Sequence, residues 1–284
     1  MLRKLILMIV FLSPLYGFSQ ESRPPNIIMM IGDGMGLSQI SSGMYSNNNY
    51  TSLERSHHIG LIKTHSFDNL ITDSAAAGTA MSSGTKTYNR VVGMDENFSP
   101  VKSILEILRD KGYMTAIIAT STIVHATPAS YYSKVKSRYE YDEIASQLSK
   151  SNINFFVGGG EKHFNDRRDK RNLMNEMDDY LFANSLESFI KINSNKIGFL
   201  TNYDDPIGKH EGREPSLENI AQATLQKLTS FNKPFFLLVE GSQIDWGGHD
   251  NDSEHLISEM LEFDRTVGVV LDFADKDKNT TVVI

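Results

Sequence analysis

Phe235-Phe236-Leu237-Leu238-Val239-Glu240-Gly241-Ser242-Gln243-Ile244-Asp245-Trp246-Gly247-Gly248-His249-Asp250 is the stretch whose reading decides the fold. An unbroken apolar run from Phe235 to Val239 predicts a strand buried on both faces, the kind found in sheets of parallel strands. That strand delivers Glu240 at its carboxyl end. Asp245 and His249 follow at i, i+4, near enough to share one ion, and carboxylate with imidazole is a zinc-compatible donor set. The competing reading is a loop, with two glycines bending the chain and His249-Asp250 capping a helix.

Working outward, further strands are expected at Asn26–Ile31, Met114–Ala119, Asn154–Val157 and Thr280–Ile284. Between them lie helical stripes. Val101, Ile104, Leu105 and Leu108 form one, Leu217 to Leu228 a second, and Met260 to Ala274 a third. Strands alternating with helices predict an α/β domain around a largely parallel central sheet with helices on both faces. Ligands then gather where the strands end, so the polar residues after each strand carry the functional information.

The first strand runs into Gly32-Asp33-Gly34-Met35-Gly36. Asp33 is read either as a turn residue or as a site carboxylate, and the glycine spacing is not that of a dinucleotide loop. Thr72-Asp73-Ser74-Ala75-Ala76 opens a helix of very small residues. Ser74 there is a helix cap or a hydroxyl set where a helix N-terminus attracts phosphate. After the strand at 114–119 comes His125-Ala126-Thr127-Pro128-Ala129, with Thr127 expected at a helix cap and Pro128 at the first helical position. Arg138 is a surface arginine or a two-pronged phosphate clamp. The remaining histidines read as surface or packing residues.

Hydrophobic residues at 40% and charged residues at 22% of 284 describe an ordinary globular protein of one large or two small domains. At the amino end Arg3 and Lys4 precede an apolar run from Leu5 to Leu12, then Pro14, Gly17 and Ser19. This is the layout of a secretory signal peptide over residues 1–19, and the run is too short for a permanent membrane anchor. Without it, the 28 basic residues lose Arg3 and Lys4, leaving 26 against 35 acidic ones, a net charge of −9 that disfavours nucleic acid as a partner. The chain has no cysteine, so neither disulfides nor thiolate zinc sites are available.

Taken together, Gly-Asp-Gly-Met-Gly at 32–36, Thr-Asp-Ser-Ala-Ala at 72–76, His-Ala-Thr-Pro-Ala at 125–129 and Val-Glu-Gly-Ser-Gln-Ile-Asp at 239–245 with His249 resemble the alkaline phosphatase family. The resemblance covers about Asn26 to Ile284. It implies a metal-dependent hydrolase of small phosphate monoesters, periplasmic or secreted, with 20–284 as its domain and with room for a homodimer. It also implies that Ser74 is the nucleophile and Arg138 the residue that binds the phosphoryl oxygens. Asp33 would bridge a zinc and a magnesium ion, with Ser74 on the zinc. Thr127 and Glu240 would complete the magnesium set, while Asp245 and His249 would hold the second of two zinc ions. His125 and Trp246 fall at two positions that vary in the family and tune the magnesium surroundings.

One departure shapes a further expectation. In the family, a strand like Thr280–Ile284 leads into an Asp-His pair on the serine-side zinc, and a later His completes the other zinc. This chain holds none of the three. The expectation is therefore a domain incomplete at its C-terminus, with little phosphatase activity in the chain as written. A related diesterase or sulfatase, and a chain that binds without turnover, are the competing functional readings.

Overall fold

The computed structural model describes residues 24–284, so the expected signal segment at 1–19 lies outside the described residues. Seven strands form one sheet: β1 Asn26–Gly32, β2 Met114–Thr122, β3 Phe155–Gly159, β4 Leu181–Ala183, β5 Ile197–Leu200, β6 Phe235–Gly241 and β7 Thr280–Val283. Their order is β4-β5-β3-β2-β6-β1-β7, and every neighbouring pair is parallel. The sheet predicted from residues 235–239 is thus wholly parallel, with β6 between β1 and β2.

Side chains alternate along β6, as the strand period of two requires. Phe235, Leu237 and Val239 enter a core with Leu217, Ile220, Met260, Phe263 and Val267 from the helices Leu217–Ser230 and Ser253–Asp277. Phe236 and Leu238 enter the opposite core, with Ala75, Leu105, Ala126, Ala129 and Ile144. That second layer contains the helices Ser74–Ser83, Ile104–Asp110, Ala126–Ala129 and Tyr141–Leu148. Both faces are covered, each buried large apolar side chain contributing about 1.5–3 kcal/mol, and the apolar run needs no polar alternation. By the same parity Glu240 projects to the side of Phe236 and Leu238.

Two strands escaped the sequence reading. Leu181–Ala183 and Ile197–Leu200 are three and four residues long, too short for periodicity to show. The second carries Gly198 where a Cβ would stand 2.5 Å from Phe156 Cζ, so two aromatic rings close over a glycine. At the other edge, β7 is half-buried and ends at Val283, whereas the sequence suggested a fully buried strand through Ile284. It pairs with β1 alone, from Asn26↔Thr280 to Met29↔Val283.

Candidate active site

Register brings the first carboxylates together. Ile31 and Ala119 lie across from Glu240, so β1 and β2 flank it at the carboxyl end of β6. One residue past β1, the Asp33 amide donates to the Gly241 carbonyl at 3.1 Å. Gly34 follows with φ +66°, and a Cβ there would sit 2.7 Å from Asp245 Oδ1, so only glycine lets this turn close on Asp245.

Ser74 is the first residue of its helix, and the cap is Asp73, whose Oδ1 accepts from the Ala76 amide at 2.9 Å. The reading of Ser74 as the helix cap is therefore corrected. Freed from that duty, the Ser74 hydroxyl donates to Asp33 Oδ2 at 2.9 Å. Asp73 does more than cap: its Oδ2 accepts from Arg138 Nη1 at 3.2 Å and from the Arg90 amide at 3.0 Å. One carboxylate thus ties the helix start to the guanidinium, and sequence reading missed it although an aspartate before a helix is a cap signal. In the 126–129 helix the N-cap position is held by His125, without a side-chain bond to the helix, which makes Thr127 and Pro128 its second and third residues.

Arg138 Nη2 also meets His125 Nε2 at 3.3 Å. A guanidinium only donates, so Nε2 is the acceptor and the imidazole proton sits on Nδ1. Burial, and then the Arg138 charge, hold His125 down to about 3, so the ring is neutral. Its edge faces Trp246, with ring centroids 6.0 Å apart.

Glu240 is fully buried, and its Oε2 accepts from Ser242 Oγ at 2.7 Å, a partner the sequence reading also missed. Burial, then the Asp33 charge, push Glu240 up to about 8, against the pull of Ser242, Thr127 and Arg138. Asp33 is pushed up to about 6 by burial and by Asp245, while Ser74, Arg138 and the Gly34 amide pull it back. Asp245 and His249 lie in the helix Gln243–His249, with Nε2 and Oδ2 3.4 Å apart. That segment is helical, so the loop alternative is set aside. The His249 side chain is 78% exposed.

All seven predicted site residues therefore gather around the ends of β1 and β6, with His249 at the outer rim. Among the described residues no three His, Asp or Glu side chains converge as a ready cation cage. The donor chemistry still separates two cases. Asp33, Glu240 and the Thr127 hydroxyl are oxygen donors, and Glu240 Oε1 is buried with no partner, which fits a magnesium-type cation that retains waters. Asp245 with His249 supplies two ligands, short of the three that zinc sites take from protein, so this pair alone does not fit a closed zinc site.

Comparison with known proteins agrees with this geometry. The alkaline phosphatase family profile matches residues 25–284. Alkaline phosphatase 4 of Bacillus subtilis is 38% identical over 280 residues, covering 91% of this chain and 60% of that protein. The repressible alkaline phosphatase of Saccharomyces cerevisiae is 31% identical, over 94% of this chain and 55% of its own length. The chain thus spans little more than half the length of these curated relatives. Among solved structures, the alkaline phosphatase of the Antarctic bacterium TAB5 superposes with a TM-score of 0.87 at 39% identity, over 92% of this chain and 78% of that one. The family profile over residues 25–284, on an all-parallel sheet where a serine at a helix start is bonded to a partly buried carboxylate just past a strand end, places the chain in the alkaline phosphatase family.

Proposed function

We propose that the protein hydrolyses phosphate monoesters through a phosphoserine on Ser74. The observation that carries this reading is the Ser74 hydroxyl, aimed at Asp33 Oδ2 from the first turn of its helix, with Arg138 held beside it through Asp73. The helix start presents free amides and positive dipole to the substrate's phosphate. Arg138 binds two non-bridging oxygens with parallel N–H bonds and fixes the phosphorus in front of Ser74. As Oγ bonds to phosphorus, its proton passes toward Asp33 Oδ2 and the ester oxygen leaves with its electron pair. The proton held by Asp33 passes to the departing alkoxide; water then attacks the phosphoserine from the vacated side, giving one proton to Oγ as the P–Oγ bond breaks, which frees phosphate and restores the Ser74 hydroxyl. Two inversions give net retention.

Asp33, Thr127 and Glu240 would hold magnesium; a variant of the TAB5 enzyme has been solved with magnesium bound. Asp245 and His249 are the residues proposed to meet one zinc ion, and Asp33 with Ser74 a second, and no step is assigned to either ion. Bound divalent cations supply charge neutralisation at the phosphoryl group and a lower pKa for the attacking hydroxyl. Residues 20–284 form the catalytic domain in this reading, and a homodimer of it is compatible with the fold.

Rates on an aryl phosphate monoester, the matching diester and the sulfate ester test the assignment, with the monoester fastest. A faster diester or sulfate ester would move the activity to a related hydrolase, and no turnover of any of them would leave a binding protein. Arg138→Ala is expected to weaken inorganic phosphate binding roughly 10–100-fold, since each charge-assisted bond contributes about 1.5–3 kcal/mol. Calorimetric titration with phosphate checks this; unchanged affinity would remove Arg138 from the site.

Export is proposed as well, with residues 1–19 removed, and no helix among the described residues is long and apolar enough to cross a membrane. Intact mass of the protein from its native host decides the matter: a full-length amino end on most molecules sinks the proposal.

A further inference from the structure

Two buried oxygens on one side of the sheet, Tyr131 Oη and Glu240 Oε1, have no hydrogen-bond partner among the described residues. A phenylalanine would fill the position of Tyr131 with the same ring and no stranded hydroxyl. That ring is fixed: it is fully buried, stacks on Phe236 at 5.9 Å and 28°, and its carbonyl accepts from Ser103 Oγ at 2.6 Å. Phe236 and Glu240 leave β6 on the same face, the face on which Tyr131 packs. Tyr131 also stands one residue beyond Ser130, the C-cap of the short helix that carries Thr127. Burial, and then the charge of Glu240, push the phenol well above its ordinary range, so the carboxylate acts on it electrostatically.

We propose that Tyr131 is a positioning residue for Glu240, its hydroxyl donating across one water to Oε1 and so orienting the carboxylate for a magnesium-type cation. The inference rests on the metal reading above and assigns a role to a side chain outside the ligand set. With Ser242 on Oε2, the carboxylate gains a neutral donor at each oxygen, which fixes its rotation without adding a charge that competes with the cation. The neighbouring Tyr132 is the built-in contrast. Its hydroxyl already donates to the Ile123 carbonyl at 2.8 Å and serves the fold alone.

The test is magnesium titration of the full chain, of Tyr131→Phe and of Tyr132→Phe. Calorimetry reads affinity, and so does fluorescence of Trp246, the single tryptophan, whose ring meets His125. Tyr131→Phe is expected to bind magnesium about 10–100-fold more weakly with metal-free stability retained. Tyr132→Phe is expected to lose stability and keep its affinity. Unchanged magnesium affinity in Tyr131→Phe would overturn the proposal, as would equal weakening in both variants or a Tyr131→Phe chain that no longer folds. A wild-type chain that binds no magnesium fails at an earlier step: it removes the metal reading, and this proposal with it.

Discussion

In a chain extended by the family's C-terminal Asp-His pair and later His, Ser74→Ala is expected to lower aryl phosphate turnover by about 10⁶-fold, the scale of loss when a hydrolase loses its nucleophile. The same variant should show no phosphoprotein after acid quenching with labelled substrate. The loss is chemical, because the helix keeps its cap: Asp73, not Ser74, accepts the Ala76 amide. Alanine moreover has the highest intrinsic helix propensity. What Ser74→Ala removes is the hydroxyl and its bond to Asp33 Oδ2, while the Arg138 clamp remains anchored on Asp73 and His125. Phosphate affinity should therefore survive in Ser74→Ala and fall in Arg138→Ala, and this crossed pattern separates attack from binding. Label still trapped on the Ser74→Ala protein would mean that another side chain attacks.

The sheet was legible because β6 is buried on both faces, so five apolar residues in a row could only be an interior strand of a covered parallel sheet. Strands β2 and β3, buried along their whole length, were legible for the same reason, and β1 was legible as an apolar run although alternate residues in it are only partly buried. The short edge strands β4 and β5 were not, because their pairing is set by tertiary contact, as where Gly198 lies under Phe156 and Phe182. Candidate site residues stood out where a strand ends: Asp33 after β1, Glu240 near the end of β6, Asp245 beyond it. Side chains that act on those residues did not. Asp73 and Ser242 stand inside the quoted motifs and Tyr131 just beyond one, yet only the packed structure shows that Asp73 holds Arg138, that Ser242 bonds Glu240 and that Tyr131 packs in the layer on that side of the sheet.

With divalent cations stripped by a chelator, the folded chain is expected to lose stability between pH 6.5 and 8.5. The cause is Glu240, which titrates at about 8 in the fold against an ordinary value of 4.5. A carboxyl group with a raised folded value binds its proton more tightly in the native state. Its contribution is complete below the ordinary value and disappears as pH rises through the folded one. Asp33 acts in the same direction, but with a folded value of about 6 it is mostly spent by pH 6.5. His125 works the opposite way, since its folded value of about 3 costs stability only below its ordinary 6.5, so it is silent in this window. The net loss is about 2 kcal/mol, or roughly 4–8 °C in melting temperature. Magnesium should reverse it, and by more at pH 8.5 than at 6.5, because the ionised pair is what the cation meets. Glu240→Gln should flatten the metal-free profile and abolish the magnesium response together. A metal-free melting temperature that holds or rises from pH 6.5 to 8.5 would show that Glu240 enters the fold already ionised, and the assignment of its carboxylate to a cation site would lose its physical basis.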